Sequence, residues 1–167
     1  LDPVLAPYLD RIAIVHLRSP RGLSRARNGG LKACRGRYIA FPDDDCWYPP
    51  ALVERVVELF AAHPDAGLFT GRTVDAGGRD SLGLFLDSDA TISKSNVWLI
   101  GNSNSLFIRA PIARHIGGFD ETLGVGAQSP FKSGEETDFV LRALATGARG
   151  VYRRDIVVYH DQAPVGG

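Results

Sequence analysis

The chain has no methionine, only two cysteines in 167 residues and no net charge. Two cysteines are too few for a disulfide scaffold, and Cys34 and Cys46 lack the CxxC spacing of zinc sites. We therefore predict a reducing, cytoplasmic environment and neither zinc nor thiol chemistry. The equal numbers of acidic and basic residues argue against a nucleic-acid partner that is attracted by a global positive field. No apolar run reaches the roughly 18 residues that cross a bilayer, and the first residues lack the pattern of a signal peptide.

Length and composition indicate one soluble domain. Hydrophobic residues make up 44% of the chain and charged residues 23%, as in ordinary globular domains. A chain of this length can bury a core without disulfides or metal ions. Because translation starts with methionine and this chain starts with Leu1, we expect it to be a piece of a longer protein.

Predicted strands alternate with predicted helices along the first half, which favours a layered α/β domain. Strands are predicted at Arg11–Leu17, Arg37–Phe41, Gly67–Thr70, Ser105–Arg109, Arg149–Tyr152 and Ile156–His160. Helices are predicted at Ser24–Cys34, Ala51–His63 and Gly134–Thr146, with Ser24 as one N-cap and Gly147 after the last helix. We find no internal repeat and no linker that would divide the chain.

Charge is unevenly distributed along the chain. The first 37 residues contain eight basic side chains, opposed only by Asp2 and Asp10, whereas acids cluster further on. This pattern suits an anionic ligand held by cations and a divalent metal, and it equally suits a solvated basic face.

Three adjacent carboxylates, Asp43–Asp45, follow the predicted strand Arg37–Phe41 directly. Ligands bind at the carboxyl ends of strands in open α/β sheets, and neighbouring carboxylates repel each other unless a cation is present. Hard oxygen ligands suit Mg²⁺ or Mn²⁺. The alternative is a turn whose aspartates cap the next helix. His160 ends the last predicted strand at the same expected edge, where it could contact a metal or serve structure alone.

Two glutamates, Glu135 and Glu136, begin the last predicted helix. Ser133 and Glu136 fit a capping box, and Asp138 and Arg142 fit an i, i+4 ion pair, so a purely structural interpretation is available. The functional interpretation is a general base at the start of this helix.

Five segments in order resemble family 2 glycosyltransferases of the GT-A fold. They are Gly22–Asn28, Gly36–Asp45, Trp47–Pro49, Gly117–Glu121 and Gly134–Phe139 together with Arg142. The resemblance covers about residues 11–160. It implies a GT-A-like mixed, mainly parallel sheet flanked by helices, with a nucleotide-sugar and metal part at 1–73 and an acceptor and base part at 74–167. The strand, helix and strand with which relatives begin are not found before Leu1, so we expect an N-terminally truncated domain.

The resemblance also implies roles for individual residues. Asp45, with His160 near it, would bind Mn²⁺ or Mg²⁺, while Glu136 or its neighbour Glu135 would deprotonate the acceptor. Relatives have Asp where this chain has Glu136. The expected donor contacts are Arg27, Asn28, Asp43, Asp44, Asn102 and Asn104.

The implied function is metal-dependent, inverting transfer of a sugar from a nucleoside-diphosphate sugar to a saccharide or other hydroxyl acceptor. Peripheral association of the parent protein with a membrane stays open. The missing N-terminal part leaves a non-catalytic sugar-nucleotide-binding remnant as one alternative. Another metal-dependent nucleotide-using transferase is the second.

Overall fold

The computed structural model describes residues 2–100 and 102–160, which are built around a six-stranded sheet. The strands are β1 Tyr38–Ala40, β2 Cys46–Trp47, β3 Ala66–Val74, β4 Ala90–Thr91, β5 Phe107–Arg109 and β6 Arg149–His160. Their order across the sheet is β1-β5-β3-β6-β2, and β4 also pairs with β6. This confirms the mixed α/β class. The strand pairs of the described residues are mostly antiparallel rather than parallel, however, because β3 and β6 are the only hydrogen-bonded neighbours that run in the same direction.

Helices cover both faces of this sheet. They are α1 Asp2–Leu5, α2 Leu23–Ala33, α3 Leu52–Ala62, α4 Ala110–His115 and α5 Glu135–Ala145. Short 3₁₀ turns occur at Ala6–Tyr8, Val97–Leu99 and Ser103–Ser105. None of the helices in the described residues is long and apolar enough to cross a membrane.

The core has two parts because successive side chains of a strand point to opposite faces. On β3, Phe69 packs with the apolar face of α3, whereas Leu68 packs with residues of α2 and α5. Helix α3 buries Leu52, Val56, Leu59 and Phe60, the positions that its sequence period predicts. The helices therefore hold β3 in the middle of the domain.

The predicted strand Arg11–Leu17 is wrong. These residues form irregular, largely exposed backbone, and Ile12 and Val15 remain in contact with solvent. A β-branched run becomes a strand only when a neighbour accepts and donates its backbone hydrogen bonds. Within the described residues, no strand pairs with this run.

The predicted N-caps, Ser24 and Ser133, are also wrong, although their helices are confirmed. Gly22 and Gly134 hold the N-cap positions of α2 and α5 without a side-chain hydrogen bond. The hydroxyl of Ser24 instead donates to the carbonyl oxygen of Leu123 at 2.8 Å, so a tertiary contact replaces the local one. Gly147, with φ 87°, ends α5 as predicted.

We predict that Gly71→Ala strongly destabilises the fold. An added Cβ would lie 2.1 Å from the carbonyl oxygen of Ile156, at the register shift between β3 and β6. The two strands would have to separate, and we expect a loss of about 3 kcal/mol in the free energy of unfolding. Urea denaturation followed by circular dichroism measures this loss.

The matched control is Gly29→Ala, because an added Cβ at this position in α2 meets no atom within 4 Å. Alanine is the better helix former, so this variant should gain about 1 kcal/mol. Equal urea midpoints for Gly71→Ala and the wild type would contradict the assigned strand pairing.

Candidate active site

The guanidinium group of Arg27 joins the two acidic segments of the sequence. It donates to Asp43 Oδ1 and Glu135 Oε1, both at 3.1 Å, and to the hydroxyl of Ser103 at 2.7 Å. Only 8% of the Arg27 side chain and 7% of the Glu135 side chain are exposed. The site is therefore organised around a buried cation between two carboxylates.

Four elements bring these groups together. Arg27 lies in the middle of α2, Asp43 follows β1, Ser103 lies in a 3₁₀ turn, and Glu135 is the first residue of α5. The ring of Phe119 packs under the guanidinium group, with its centroid 5.3 Å from Cζ. The site thus forms only when segments that are far apart in the sequence have packed.

A glycine loop closes over Glu135. Gly124 has φ 91°, and a Cβ there would lie 2.9 Å from the carboxyl carbon of Glu135. This close approach of backbone to carboxylate keeps water away from the ion pair. A charged pair without water is costly unless its hydrogen bonds are satisfied, and here Arg27 satisfies them.

Two asparagines predicted to border the donor hold the loop after β1. Asn104, which is 1% exposed, accepts a hydrogen bond from the backbone N–H of Asp43 at 2.8 Å. Its carbonyl oxygen accepts another from the hydroxyl of Tyr48. Asn102 bonds the hydroxyl of Thr73 and the backbone N–H of Asn104. Their roles as donor contacts stay predictions.

Asn28, another predicted donor contact, ties α2 to the loop that carries Phe119. Its amide oxygen accepts from the N–H of Phe119 at 2.8 Å, and its amide nitrogen donates to the carbonyl oxygen of the same residue. The amide nitrogen also donates to Glu121. These bonds fix the ring under Arg27, and contact with a nucleotide stays a prediction.

Asp45 and His160, the predicted metal ligands, lie side by side. Asp45 Oδ2 is 3.1 Å from His160 Nε2, because β2 and β6 place Cys46 opposite His160. The Asp45 side chain is half-exposed, Asp44 is exposed, and His160 is largely buried. His160 Nδ1 is buried and has no hydrogen-bond partner within the described residues.

A carboxylate and an imidazole side by side suit a divalent ion that takes its remaining ligands from water or phosphate. Residues 2–100 and 102–160 contain no cluster of three or more His, Cys, Asp or Glu that would hold a metal without such help. The pair therefore fits a metal bound together with a ligand.

Glu136 differs sharply from its neighbour Glu135. Burial raises the pKa of the Glu136 carboxyl above its ordinary value of 4.5, and the negative charge of Glu135 raises it further. Its Oε2 is buried without a hydrogen-bond partner in the described residues. A carboxyl with a raised pKa is a suitable proton acceptor near neutral pH.

Ser103 and Phe119 complete the site without having been predicted. The turn Ser103–Ser105 offers no periodic pattern, and Gly117–Glu121 resembles a family motif that implies no role for its aromatic ring. Only the three-dimensional packing shows that both contact Arg27.

The sequence of this chain matches a known protein family and several relatives. A sequence profile described as "Glycosyl transferase family 2" matches residues 3–113. The chain is 28% identical over 170 residues to "Pre-mycofactocin glycosyltransferase" of Mycobacterium tuberculosis, covering 96% of this chain and 34% of that protein. It is 46% identical over 48 residues to "Uncharacterized glycosyltransferase EpsJ" of Bacillus subtilis, covering 29% of this chain and 14% of that one.

The fold has solved counterparts. Staphylococcus aureus TarS superposes with a TM-score of 0.72 at 17% identity, covering 97% of this chain and 29% of TarS. A shorter TarS crystal structure, in complex with UDP-GlcNAc, gives a TM-score of 0.62 at 16% identity, covering 96% of this chain and 44% of the other. This chain thus spans about a third of the mycobacterial relative, and the likeness to TarS establishes its fold.

We predict that Arg27→Met destabilises the protein by about 3 kcal/mol, because it leaves the buried Glu135 without its cation. Arg25→Met is the matched control on the same helix. The ion pair between Arg25 and Glu121 is exposed, so the loss there should stay below about 1 kcal/mol. Urea denaturation compares the two variants, and equal losses would contradict a central role for Arg27.

We predict opposite effects for Glu136→Gln and Glu135→Gln. Between the ordinary pKa of about 4.5 and the raised pKa, the folded state holds a proton on Glu136 that the unfolded chain has released. The free energy of unfolding of the wild type therefore falls as pH rises through this range. Glu136→Gln removes this fall and should be more stable than the wild type at pH 7. The stabilities of Glu136→Gln and the wild type should converge below about pH 4.

Glu135→Gln serves as the comparison, because it weakens the bond to Arg27 and should cost about 2 kcal/mol at pH 7. Urea midpoints between pH 4 and 8 test both variants. A Glu136→Gln curve parallel to that of the wild type would show that Glu136 titrates normally.

Proposed function

Since this chain belongs to glycosyl transferase family 2, we propose that it contributes the active site of a transferase that moves a sugar from a nucleoside-diphosphate sugar to an acceptor hydroxyl. The observation that carries the proposal is the convergence of Asp43, Arg27 and Glu135 at the carboxyl end of β1. The complex of TarS with UDP-GlcNAc supports a nucleotide-sugar donor.

Glu136 is the proposed general base. Its carboxyl accepts the proton of the acceptor hydroxyl while the acceptor oxygen forms a bond to the anomeric carbon. The bond from that carbon to the phosphate oxygen breaks, and the nucleoside diphosphate leaves. A single displacement of this kind inverts the anomeric configuration. The raised pKa of Glu136 supports this choice over Glu135, which is bonded to Arg27.

Asp45 and His160 would hold a divalent ion, Mn²⁺ or Mg²⁺, at the donor's phosphates. When bound, such an ion neutralises negative charge on the leaving diphosphate. The half-exposed carboxylate of Asp45 and the adjacent Nε2 of His160 support this assignment. Asp44, which is exposed and precedes Asp45 in the chain, would contact waters around the ion.

The family resemblance implies that Arg27 contacts the donor, and its guanidinium group donates to Asp43, Ser103 and Glu135. We propose that it fixes the donor end and the base end relative to each other. Preorganised charges of this kind are worth most where water is excluded.

We predict that Asp45→Ala abolishes Mn²⁺-dependent binding of UDP-GlcNAc by the parent protein, measured by calorimetry with and without Mn²⁺. Asp87→Ala, which removes a fully exposed carboxylate on another loop, should bind as the wild type does. Retention of Mn²⁺-dependent binding in Asp45→Ala would contradict the metal assignment.

Glu136→Gln separates chemistry from binding. Loss of a general base costs about 10²–10⁴-fold in kcat, while the affinity for UDP-GlcNAc should be retained. If Glu135→Gln alone loses turnover, the base is Glu135. Donor binding without transfer in the wild-type parent would favour a non-catalytic sugar-nucleotide-binding protein, and tighter binding of UTP than of UDP-GlcNAc would favour another nucleotide-using transferase.

A further inference from the structure

A small cavity lies behind Glu136, between α5 and β3. Its volume is about 10 Å³, and its polar lining comes from Thr70, Asn102, Glu136 and Thr137. Apolar side chains complete its wall. The space is close to the minimum that one water molecule needs.

Two polar atoms with no hydrogen-bond partner among the described residues belong to this lining. They are Thr70 Oγ1 and Glu136 Oε2. Thr70 is only 1% exposed and shares its face of β3 with Leu68, the face on which α5 packs. Its hydroxyl is therefore enclosed on the side of the sheet from which Glu136 approaches.

Buried hydroxyl and carboxyl oxygens are nearly always hydrogen-bonded, to protein or to ordered water. A buried water needs two to four polar partners. The Thr70 hydroxyl and the Glu136 carboxylate are two, and the amide nitrogen of Asn102 has a second N–H beyond the one it donates to Thr73. The cavity thus offers the size and the partners that a single water requires.

We propose that one buried water bridges the Thr70 hydroxyl and Glu136 Oε2, which makes Thr70 a positioning residue for the general base. The positioning role of Thr70 in catalysis rests on the function proposed above, whereas the presence of the water does not depend on that function. The water donates to the carboxylate and so favours its charged form against the burial that disfavours it. The bridge also fixes one carboxylate oxygen of Glu136.

The ionisable groups that act on Glu136 are Glu135 and Arg27, and the other residues around the cavity are uncharged. The charge of Glu135 raises the pKa of Glu136, and that of Arg27 lowers it. Neither group lines the cavity. A change at Thr70 should therefore act on Glu136 through the water alone.

The first test uses this chain and needs no activity. Thr70→Val keeps the shape and removes the hydroxyl. If the hydroxyl binds a water that is shared with Glu136, the unfolding equilibrium constant at pH 7 should rise about tenfold, and Thr70→Ser should restore most of the stability. If the hydroxyl has no partner, replacing it with a methyl group removes the cost of burying an unsatisfied polar group. The unfolding equilibrium constant should then stay level or fall, which would overturn the proposal.

Glu136→Met provides the matched background because methionine has a similar length and no carboxylate. There, Thr70→Val should change the unfolding constant less than threefold. A tenfold rise in this background as well would show that Thr70 acts independently of Glu136, and would also overturn the proposal.

The second test asks whether the water serves catalysis in the parent protein. Thr70→Val should move the acidic limb of the pH profile of kcat to higher pH, leave the KM for UDP-GlcNAc within twofold, and be rescued by Thr70→Ser. Thr70→Val could lower stability only where Glu136 is present and yet leave the pH profile of kcat unshifted. That result would support the bridging water and contradict its role in positioning the base. A parent protein that never transfers sugar would contradict the proposed function, while the unfolding data would still decide on the water.

Discussion

A buried guanidinium group between two carboxylates is the interaction on which the site depends. Arg27 is almost inaccessible to solvent, yet it bonds Asp43 and Glu135, which lie 16 and 108 residues away in the sequence. Removing one member of such a group leaves an uncompensated buried charge, which costs far more than losing an exposed pair. The loop after β1 and the start of α5 are therefore held in one arrangement.

The neighbours of Arg27 are arranged to maintain this interaction. Asn28, the next residue of α2, fixes Phe119 through two backbone hydrogen bonds, and Phe119 packs under the guanidinium group. Asn104 holds the backbone of Asp43 from the other side. These amides have satisfied hydrogen bonds within the protein, so the site is preorganised before any ligand arrives. Preorganised polar groups of this kind are worth most where water is excluded.

Much of the fold could be predicted from local patterns. The apolar period of Leu52, Val56, Leu59 and Phe60 predicts α3 because one helix face must be buried, and the structure buries it. The run Arg11–Leu17 has an equally clear strand composition and forms no strand, because strand pairing depends on a partner that composition does not reveal.

The last strand shows the reverse error. The sequence predicts two strands, Arg149–Tyr152 and Ile156–His160, with charged residues between them. The structure instead has one strand, β6. Two of those charges find partners on neighbouring elements: Arg153 pairs with Asp89 at 3.0 Å, and Asp155 with Arg55 at 2.9 Å. The positions of the acidic segments after β1 and at the start of α5 could be predicted in the same local way. The hydrogen bonds of Arg27 to Asp43 and Glu135 could not be predicted, because local patterns do not relate residues that lie so far apart in the sequence.

The two glutamates at the start of α5 show how one residue type acquires two environments. Successive residues of a helix point about 100° apart, so Glu135 meets Arg27 while Glu136 reaches the cavity beside Thr70. The cation of Arg27 and the Gly124 loop enclose the Glu135 carboxylate. Burial and the neighbouring charge make Glu136 the better proton acceptor. Environments that separate two adjacent carboxyls in this way are how active sites assign acid–base roles, and here the separation follows from which face of α5 each side chain occupies.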